Sequence, residues 1–307
     1  MTQRLQWDTD GRQWPHRLHS RFVQAAGLRW HVQQFAAARP NAPDALLIHG
    51  TGASTHSWRA LIGLLTPHFN VLSFDLPGHA FTDLPPGGAS APQMSLPGMA
   101  NAIGQLLAAT SVNPALIVGH SAGAAIGVRM SLDGVAAPRH IVSINGALQP
   151  LGGLAGQVFS PVARLMSTLP FVPTLFSRQA AQPSVLQKLI ASTGSTLDAE
   201  GMALYGQLVS NPGHAAGALA MMANWDLPQL AMDLPRLATP LSLIVASQDH
   251  TVPPRQAARL VAHWPASSVR AAPQVVTLPG LGHLAHEEQP ALVAQQVLAF
   301  FNGSAAC

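Results

Sequence analysis

Short apolar runs alternate with helical stretches along most of the chain. An almost wholly apolar run is typical of a strand that is buried on both faces of a parallel sheet. Such runs predict strands at residues 45–48, 71–74, 115–118, 141–144, 241–246 and 274–278. Helices are predicted between them, at residues 57–65, 96–109, 122–132, 254–264 and 289–301. This order predicts an α/β fold with a mostly parallel central sheet covered by helices on both faces.

Two segments depart from this alternation. Residues 21–34 alternate apolar and polar positions around Ala26 and Gly27, which predicts an antiparallel hairpin at a sheet edge. Residues 146–235 are rich in Leu, Ala, Met and Pro and read as helical pieces interrupted by prolines. A structureless loop of that length is rare, so we expect an inserted helical cap. The predicted organisation is a core of residues 1–145 and 236–307 and a cap of residues 146–235.

The pentapeptide Gly119-His120-Ser121-Ala122-Gly123 directly follows an apolar run and precedes a helical stretch. A strand, then G-x-S-x-G, then a helix is the pattern of a nucleophile elbow, whose sharp turn exposes a serine hydroxyl above the sheet. The two glycines leave room where a Cβ would clash with the crossing backbone. The five residues alone are equally compatible with a glycine-rich turn, so their surroundings decide whether Ser121 is a nucleophile.

Candidates for the other two members of a triad follow later strands. A serine hydroxyl needs a general base, the base needs an orienting acid, and the expected chain order is serine, acid, histidine. Asp249 follows the predicted strand 241–246, and His283 follows the predicted strand 274–278. We therefore predict Ser121, Asp249 and His283 as a catalytic triad. Four other candidates are expected to be structural: His120, Asp133, His250 and His286.

Acyl transfer also needs N–H donors for the oxyanion that develops on the substrate. Ala122 offers its backbone N–H at the predicted elbow, and His49-Gly50-Thr51-Gly52 follows the first buried run. We predict the backbone N–H groups of Thr51 and Ala122 as these donors. The alternative for the His-Gly-Thr-Gly stretch is a plain glycine-rich turn.

Composition limits the classes of function that fit these motifs. Of 307 residues, 48% are hydrophobic and only 9% are charged, which excludes a disordered chain. No basic run and no nucleic-acid motif occurs, so nucleic acid is not expected as a partner. No motif requires a metal ion or an organic cofactor. The single cysteine, Cys307, is the last residue and is expected to form neither an internal disulfide nor a metal cluster.

The basic residues are 15 arginines and one lysine, which gives a net charge of +3. One explanation is compositional drift toward arginine. The other is a docking face for an acidic partner or an anionic membrane, formed by Arg4, Arg12, Arg17, Arg21, Arg29 and Arg39. The first residues contain no apolar leader segment, so we expect a cytoplasmic protein, with peripheral contact to the inner membrane as an alternative.

Taken together, these motifs resemble the α/β-hydrolase superfamily over nearly the whole chain. The matching segments are residues 49–52 with Trp58, 75–79, 119–123, 249–253 and 282–283. The superfamily's triad falls on Ser121, Asp249 and His283 without a gap. Because residue 121 is serine rather than aspartate, the alkyl-enzyme chemistry of the superfamily's dehalogenases and epoxide hydrolases is not expected. Ala80 is a departure, because many members have glycine at that position.

A narrower set of segments is similar to the magnesium chelatase accessory proteins of bacteriochlorophyll biosynthesis. These segments are residues 14–17, 49–58, 119–126, 221–226 and 282–288. The similarity implies a place in photosynthetic pigment synthesis and magnesium chelatase subunits as partners, but it does not state a biochemical role.

Two functions are compatible with these residues. The first is hydrolysis of a bulky apolar ester or of a tetrapyrrole ester, in a general carboxylesterase or a pigment-specific enzyme. The cap residues expected to line its pocket, or alternatively to pack cap against core, are Phe159, Phe176, Met221, Met222 and Trp225. The second is non-catalytic binding and handling of a porphyrin during magnesium insertion, with contact to a membrane surface as a further alternative.

Overall fold

A computed structural model describes residues 4–150 and 171–303. In this part of the chain eight strands form one sheet in the order β1-β2-β4-β3-β5-β6-β7-β8. The strands are β1 Ser20–Ala25, β2 Leu28–Phe35, β3 Asp44–Ile48, β4 Asn70–Phe74, β5 Pro114–His120, β6 His140–Ile144, β7 Leu241–Ala246 and β8 Gln274–Leu278. The β1–β2 hairpin pairs antiparallel with β4, and all other neighbours are parallel. The predicted edge hairpin and mostly parallel sheet are confirmed.

Helices cover both faces of the sheet. The α-helices of the described residues are α1 Trp7–Asp10, α2 Arg59–Leu65, α3 Leu96–Thr110, α4 Ala122–Leu132, α5 Val172–Ala180, α6 Pro183–Ser192, α7 Ala199–Val209, α8 Pro212–Ala223, α9 Leu227–Asp233, α10 Arg255–Ala262, α11 Ala285–Glu288 and α12 Pro290–Gly303. Residues 57–58, expected to begin α2, belong instead to a preceding 3-10 turn at Thr55–Trp58. Further 3-10 turns lie at Arg17–His19, Gly88–Ser90, Pro92–Met94 and Leu234–Arg236.

The core has two layers because each central strand is apolar on both faces. On β3, Leu46 and Ile48 belong to the layer that contains residues of α3 and α4. Ala45 and Leu47 belong to the opposite layer, which contains residues of α2 and α12. Successive residues of a strand point to opposite faces, so a strand without polar positions must be covered on both sides. This is why the short apolar runs identified the central strands.

Helices α5 to α9 lie between β6 and β7, where the inserted helical cap was expected. Two glycines bring the cap helix α8 onto the loop after β4, since a Cβ on Gly217 would lie 2.1 Å from the Gly78 carbonyl oxygen. At a second contact, the α2 residue Arg59 binds Asp198 of the cap, and it also binds the buried Glu287 of the core. The cap is therefore attached to the core through α8 and through Asp198. The domain boundaries at 145/146 and 235/236 stay predictions.

The N-terminal arginines bind their own chain. Arg4 donates a hydrogen bond to the carbonyl oxygen of Thr82, and burial lowers the pKa of its guanidinium despite nearby carboxylates. Arg17 donates to the Gly11 carbonyl oxygen and lies 4.4 Å from the centre of the Trp7 ring. Arg4 and Arg17 are therefore engaged within the protein, and a docking face formed by the N-terminal arginines stays a prediction.

Candidate active site

Ser121 lies in a strained turn between β5 and α4. Its backbone has φ 50° and ψ −114°, a conformation that a residue with a side chain adopts only when its surroundings hold it there. A Cβ on Gly119 would lie 2.4 Å from the backbone nitrogen of Ala124, and one on Gly123 would lie 1.9 Å from the Ile48 carbonyl oxygen. Both glycines are therefore required by close backbone contacts. The sequence pattern predicts glycine at these two positions for the same reason.

The acid and the base proposed from the sequence form a hydrogen-bonded pair. Nδ1 of the buried His283 lies 2.8 Å from Oδ2 of the buried Asp249, and a histidine in this position donates its Nδ1 proton to the carboxylate. The other oxygen of Asp249 accepts the backbone N–H groups of Thr251 and Val252, each at 2.8 Å. These bonds fix the carboxylate, and the donated proton leaves Nε2 of His283 as the acceptor.

Two further residues place the His283 loop beside the elbow. His120 donates from Nε2 to the His283 carbonyl oxygen at 2.9 Å. Asn145, at the end of β6, donates to the same carbonyl at 2.9 Å and accepts the Ala246 N–H at 2.8 Å. Asn145 thereby joins the ends of two strands to the histidine loop. Sequence reasoning missed Asn145, because a single asparagine after a strand matches no motif.

The His-Gly-Thr-Gly stretch lies directly beside Ser121. A Cβ on Gly50 would lie 3.1 Å from the Ser121 Cβ, and the next residue is Thr51. Within residues 4–150 and 171–303, the backbone N–H groups of Thr51 and Ala122 have no hydrogen-bond acceptor. The Thr51 hydroxyl contacts the sulfur of Met221 on α8, at 3.6 Å. The two predicted oxyanion donors are thus adjacent to the candidate nucleophile and lie under the cap.

His214 of the cap supports the same stretch, and sequence reasoning missed it. Its Nε2 donates to the Gly52 carbonyl oxygen and its Nδ1 accepts the Ala80 N–H, both at 3.0 Å. A ring that donates from one nitrogen and accepts at the other must be neutral. Burial lowers the pKa of His214 to about 4, so this neutral form is maintained at physiological pH.

The histidines expected to be structural surround the site without replacing His283. His286 packs between Trp58 and His120, with ring centres 4.7 and 4.3 Å away. Burial lowers the pKa of His286 to about 3 and that of His120 well below its usual range. Asp133 pairs with Arg129 on its own helix, and His250 is exposed. Among the residues described, no group of three or more His, Cys, Asp and Glu side chains is arranged to hold a metal ion.

The predicted pocket residues occupy different environments. Met221 is fully buried and belongs to the core layer of α3 and α4, while Trp225 is partly buried against that layer. Met222 is also partly buried. Phe176, on α5, is 43% exposed, and its role as a pocket residue stays a prediction. Phe159 and Cys307 lie outside the described residues.

A second hydrogen-bonded series of Ser, His and Asp side chains, here called the Ser20 chain, lies at the sheet edge and consists of Ser20, His31 and Asp75. Nδ1 of His31 is 2.7 Å from Oδ2 of Asp75, and Nε2 of His31 is 3.0 Å from the hydroxyl of Ser20. Burial alone would raise the pKa of Asp75, but the charge and hydrogen bond of His31 outweigh it and lower that pKa to about 2. Ser20 also accepts a hydrogen bond from the Gln33 side chain at 3.1 Å.

Comparison with known proteins agrees with the fold. The model of the alpha/beta hydrolase family matches residues 45–296. An alpha/beta hydrolase fold protein from Burkholderia ambifaria has a TM-score of 0.70 at 21% identity, covering 92% of this chain and 100% of that one. The enol-lactonase from Burkholderia xenovorans LB400 has a TM-score of 0.70 at 17% identity, with the same two coverages. At these identities the likeness is one of fold alone.

A curated relative matches over most of its length. It is the magnesium-chelatase 30 kDa subunit of Rhodobacter capsulatus, which is 36% identical over 274 residues, 89% of this chain and 91% of that protein. No helix in the described ranges is both long and apolar enough to span a bilayer. The fold, the family model and this relative together show that the chain belongs to the alpha/beta hydrolase family and is a homologue of the magnesium-chelatase 30 kDa subunit.

Proposed function

We propose that the protein is a serine hydrolase of the carboxylic-ester type. Nε2 of His283 takes the proton of the Ser121 hydroxyl, and the Ser121 oxygen attacks the ester carbonyl. The backbone N–H groups of Thr51 and Ala122 stabilise the oxyanion. His283 then protonates the departing alcohol, and water hydrolyses the acyl-enzyme by the same route.

The observation that carries this proposal is the 2.8 Å hydrogen bond between Asp249 and His283, next to a serine in an elbow conformation. A pocket that only binds a ligand needs neither a strained serine nor an oriented imidazole. Met221 supports a bulky apolar acyl or alcohol group, because its sulfur contacts the Thr51 hydroxyl from the cap helix α8. Met222 and Trp225 are proposed as further pocket residues from their places beside Met221 in the sequence.

Covalent labelling tests the chemistry without knowledge of the substrate. A fluorophosphonate probe should modify the wild-type protein at Ser121, as identified by peptide mass, and should leave Ser121→Ala unmodified. The same preparation should hydrolyse p-nitrophenyl esters. A general carboxylesterase would prefer short acyl chains, whereas a bulky apolar site should prefer long ones. Absence of labelling on a folded protein would contradict the proposal.

The homologue supports a role beside magnesium chelatase, in which this chain assists pigment synthesis in association with chelatase subunits. Magnesium insertion into protoporphyrin should then be faster with purified chelatase components when the protein is present. Ser121→Ala separates two forms of this role. An enzyme acting on a tetrapyrrole ester loses the effect with this variant, whereas a porphyrin-handling protein keeps it and binds protoporphyrin at micromolar concentration.

Exposed apolar side chains on α5 favour a peripheral membrane contact as a second candidate role. Leu175 and Phe176 are 55% and 43% exposed, and Phe171, just before the helix, is 61% exposed. No acidic residue occurs between Asp133 and Asp198, whereas Arg178 and Lys188 are exposed in this part of the cap. Such a surface suits an anionic bilayer. Sedimentation with anionic vesicles at low salt should be reduced by Leu175→Ser and retained by Val269→Ser, a matched control on the core.

A further inference from the structure

A short cap turn, residues 193–196, contacts the loops that carry both the acid and the base. The carbonyl oxygen of Thr193 accepts the backbone N–H groups of His250, at 3.3 Å, and His283, at 3.2 Å. The hydroxyl of Ser195 accepts the backbone N–H of Leu284 at 2.8 Å. The residues that flank or carry the predicted triad are thus hydrogen-bonded to a segment of the cap.

The fit of this turn depends on two glycines. Gly194 has φ +81°, and a Cβ there would lie 1.9 Å from the carbonyl oxygen of Gln248, next to Asp249. A Cβ on Gly282, next to His283, would lie 2.3 Å from the carbonyl carbon of Gly194. The 193–196 turn therefore lies between the acid loop and the base loop, in backbone contact with both.

Glu288 adds a third connection. Its Oε1 accepts the N–H of Gly282 at 2.9 Å, and its Oε2 accepts the N–H of Thr196 at 3.4 Å. One carboxylate thereby joins the base loop to the end of the cap turn. Glu288, Gly282 and Thr196 belong neither to the predicted triad nor to the predicted oxyanion site.

We propose that the 193–196 turn is a positioning element, which sets the separation of the acid and base loops and thereby the hydrogen bond between Asp249 and His283. The inference rests on the proposed hydrolase function. A catalytic group has to be held to within about 0.5 Å of its productive position, and a displacement of about 1 Å costs about 10²-fold in rate. We therefore expect the part of the cap next to this turn to stay in contact with the core during turnover, since its departure would remove these contacts from both loops.

Two variants and a matched control test this role. Ser195→Ala removes only the hydroxyl that binds Leu284 N–H, and Gly194→Ala places a methyl group against Gln248 O. Ser192→Ala is the control, because its exposed hydroxyl donates to Leu189 O of its own helix. We expect labelling by fluorophosphonate to slow about 10-fold for Ser195→Ala and about 10²-fold for Gly194→Ala, with Ser192→Ala unchanged.

A proton spectrum supplies a readout that does not depend on turnover. The proton in a histidine–carboxylate hydrogen bond resonates far downfield, so the protein should show one such signal from His283 and one from His31. The His283 signal is identified by its loss in His283→Ala. It should weaken or shift in Ser195→Ala and Gly194→Ala, whereas the His31 signal should stay unchanged and report that the variant is folded.

The outcomes separate this inference from the proposed function. If wild type is never labelled, the hydrolase proposal fails, while the downfield signal still decides whether the turn positions His283. If wild type is labelled and both variants match Ser192→Ala in rate and spectrum, the inference is overturned and the hydrolase proposal stands. If Gly194→Ala does not fold, Ser195→Ala decides alone.

Discussion

The predicted triad of Ser121, Asp249 and His283 and the Ser20 chain contain the same residue types in different surroundings. In each, Nδ1 of a buried histidine binds a buried aspartate, at 2.8 Å in Asp249–His283 and at 2.7 Å in Asp75–His31. The difference lies in the serine. Ser121 is at a strained turn before a helix, whereas Ser20 begins an edge strand with an ordinary extended backbone, φ −85° and ψ 138°.

The surroundings complete the contrast. Ser121 has beside it the backbone N–H groups of Thr51 and Ala122, which are unpaired within the described ranges. Ser20 is held by Gln33 and His31, and the Trp7 ring lies 4.8 Å from the His31 ring. A histidine–aspartate pair therefore does not identify a catalytic site by itself. What distinguishes the Ser121 site is the strained turn that carries the serine and the two unpaired backbone N–H groups beside it, and these support its proposed role.

The largest expected difference between the predicted triad and the Ser20 chain is in the rate of turnover. Ser121→Ala should lower kcat for p-nitrophenyl ester hydrolysis by about 10⁴- to 10⁶-fold, because it removes the nucleophile. Ser20→Ala should change kcat by less than about 3-fold, since Ser20 lies on an extended edge strand and its hydroxyl is bonded to Gln33 and His31. Steady-state kinetics on the two purified variants measures both. A comparable loss in Ser20→Ala would show that the comparison is wrong.

The two aspartates should separate activity from stability. Asp249→Asn should lower kcat by about 10⁴-fold, because an amide no longer holds His283 in the tautomer that accepts a proton. Asp75→Asn should leave kcat nearly unchanged and lower the free energy of unfolding by about 3 kcal/mol, because it breaks a buried pair. Urea unfolding and kinetics on each variant give the two quantities. Equal effects of the two variants on kcat would contradict the contrast.

As the pH falls, His214, which holds the stretch beside Ser121, should lose its stabilising effect before Asp75 of the Ser20 chain does. The pKa of His214 is lowered by burial to about 4 in the folded protein, whereas an exposed histidine titrates near 6.5. The unfolded chain therefore binds the proton first, and stability is lost as the pH falls from about 6.5 to about 4, by about 3 kcal/mol for such a shift. Asp75, with a folded pKa of about 2, contributes stability above about pH 4 that is lost only below it.

A substitution at His214 measures how much of the stability lost on mild acidification is due to this residue. Urea unfolding at pH 7 and pH 5 should show a smaller loss of stability in His214→Gln than in wild type. His263→Gln is the matched control, because His263 is exposed and lies on the core. An unchanged pH dependence in His214→Gln would mean that other buried histidines, such as His49 with its pKa lowered by burial to about 4, account for the loss.

The sequence was sufficient for the parts of the molecule that repeat a local pattern. The apolar runs predicted the central strands, and these placed Ser121, Asp249 and His283 at one edge because parallel strands end on the same side. Their catalytic role stays a prediction. Asn145 and His214 were missed because they act through backbone groups about a hundred residues or more away in the chain. The pocket role of Phe176 stays a prediction, because an apolar residue in a helical segment gives no indication of which face will be covered.

The Ser20 chain was also missed by sequence reasoning, because its residues meet only through strand pairing. A substitution of Ser20 gives the smallest expected effect. The hairpin register pairs Ser20 with Gln33, and antiparallel pairing of β2 with β4 brings His31 beside Asp75. Ser20→Ala removes an acceptor for Gln33 and the partner of His31 Nε2, which should cost about 1 kcal/mol in the free energy of unfolding. Combined with Asp75→Asn it should cost less than the sum of the two single changes, because both act through His31. Strict additivity in urea unfolding would show that Ser20 and Asp75 are independent, so that the second chain is a coincidence of packing.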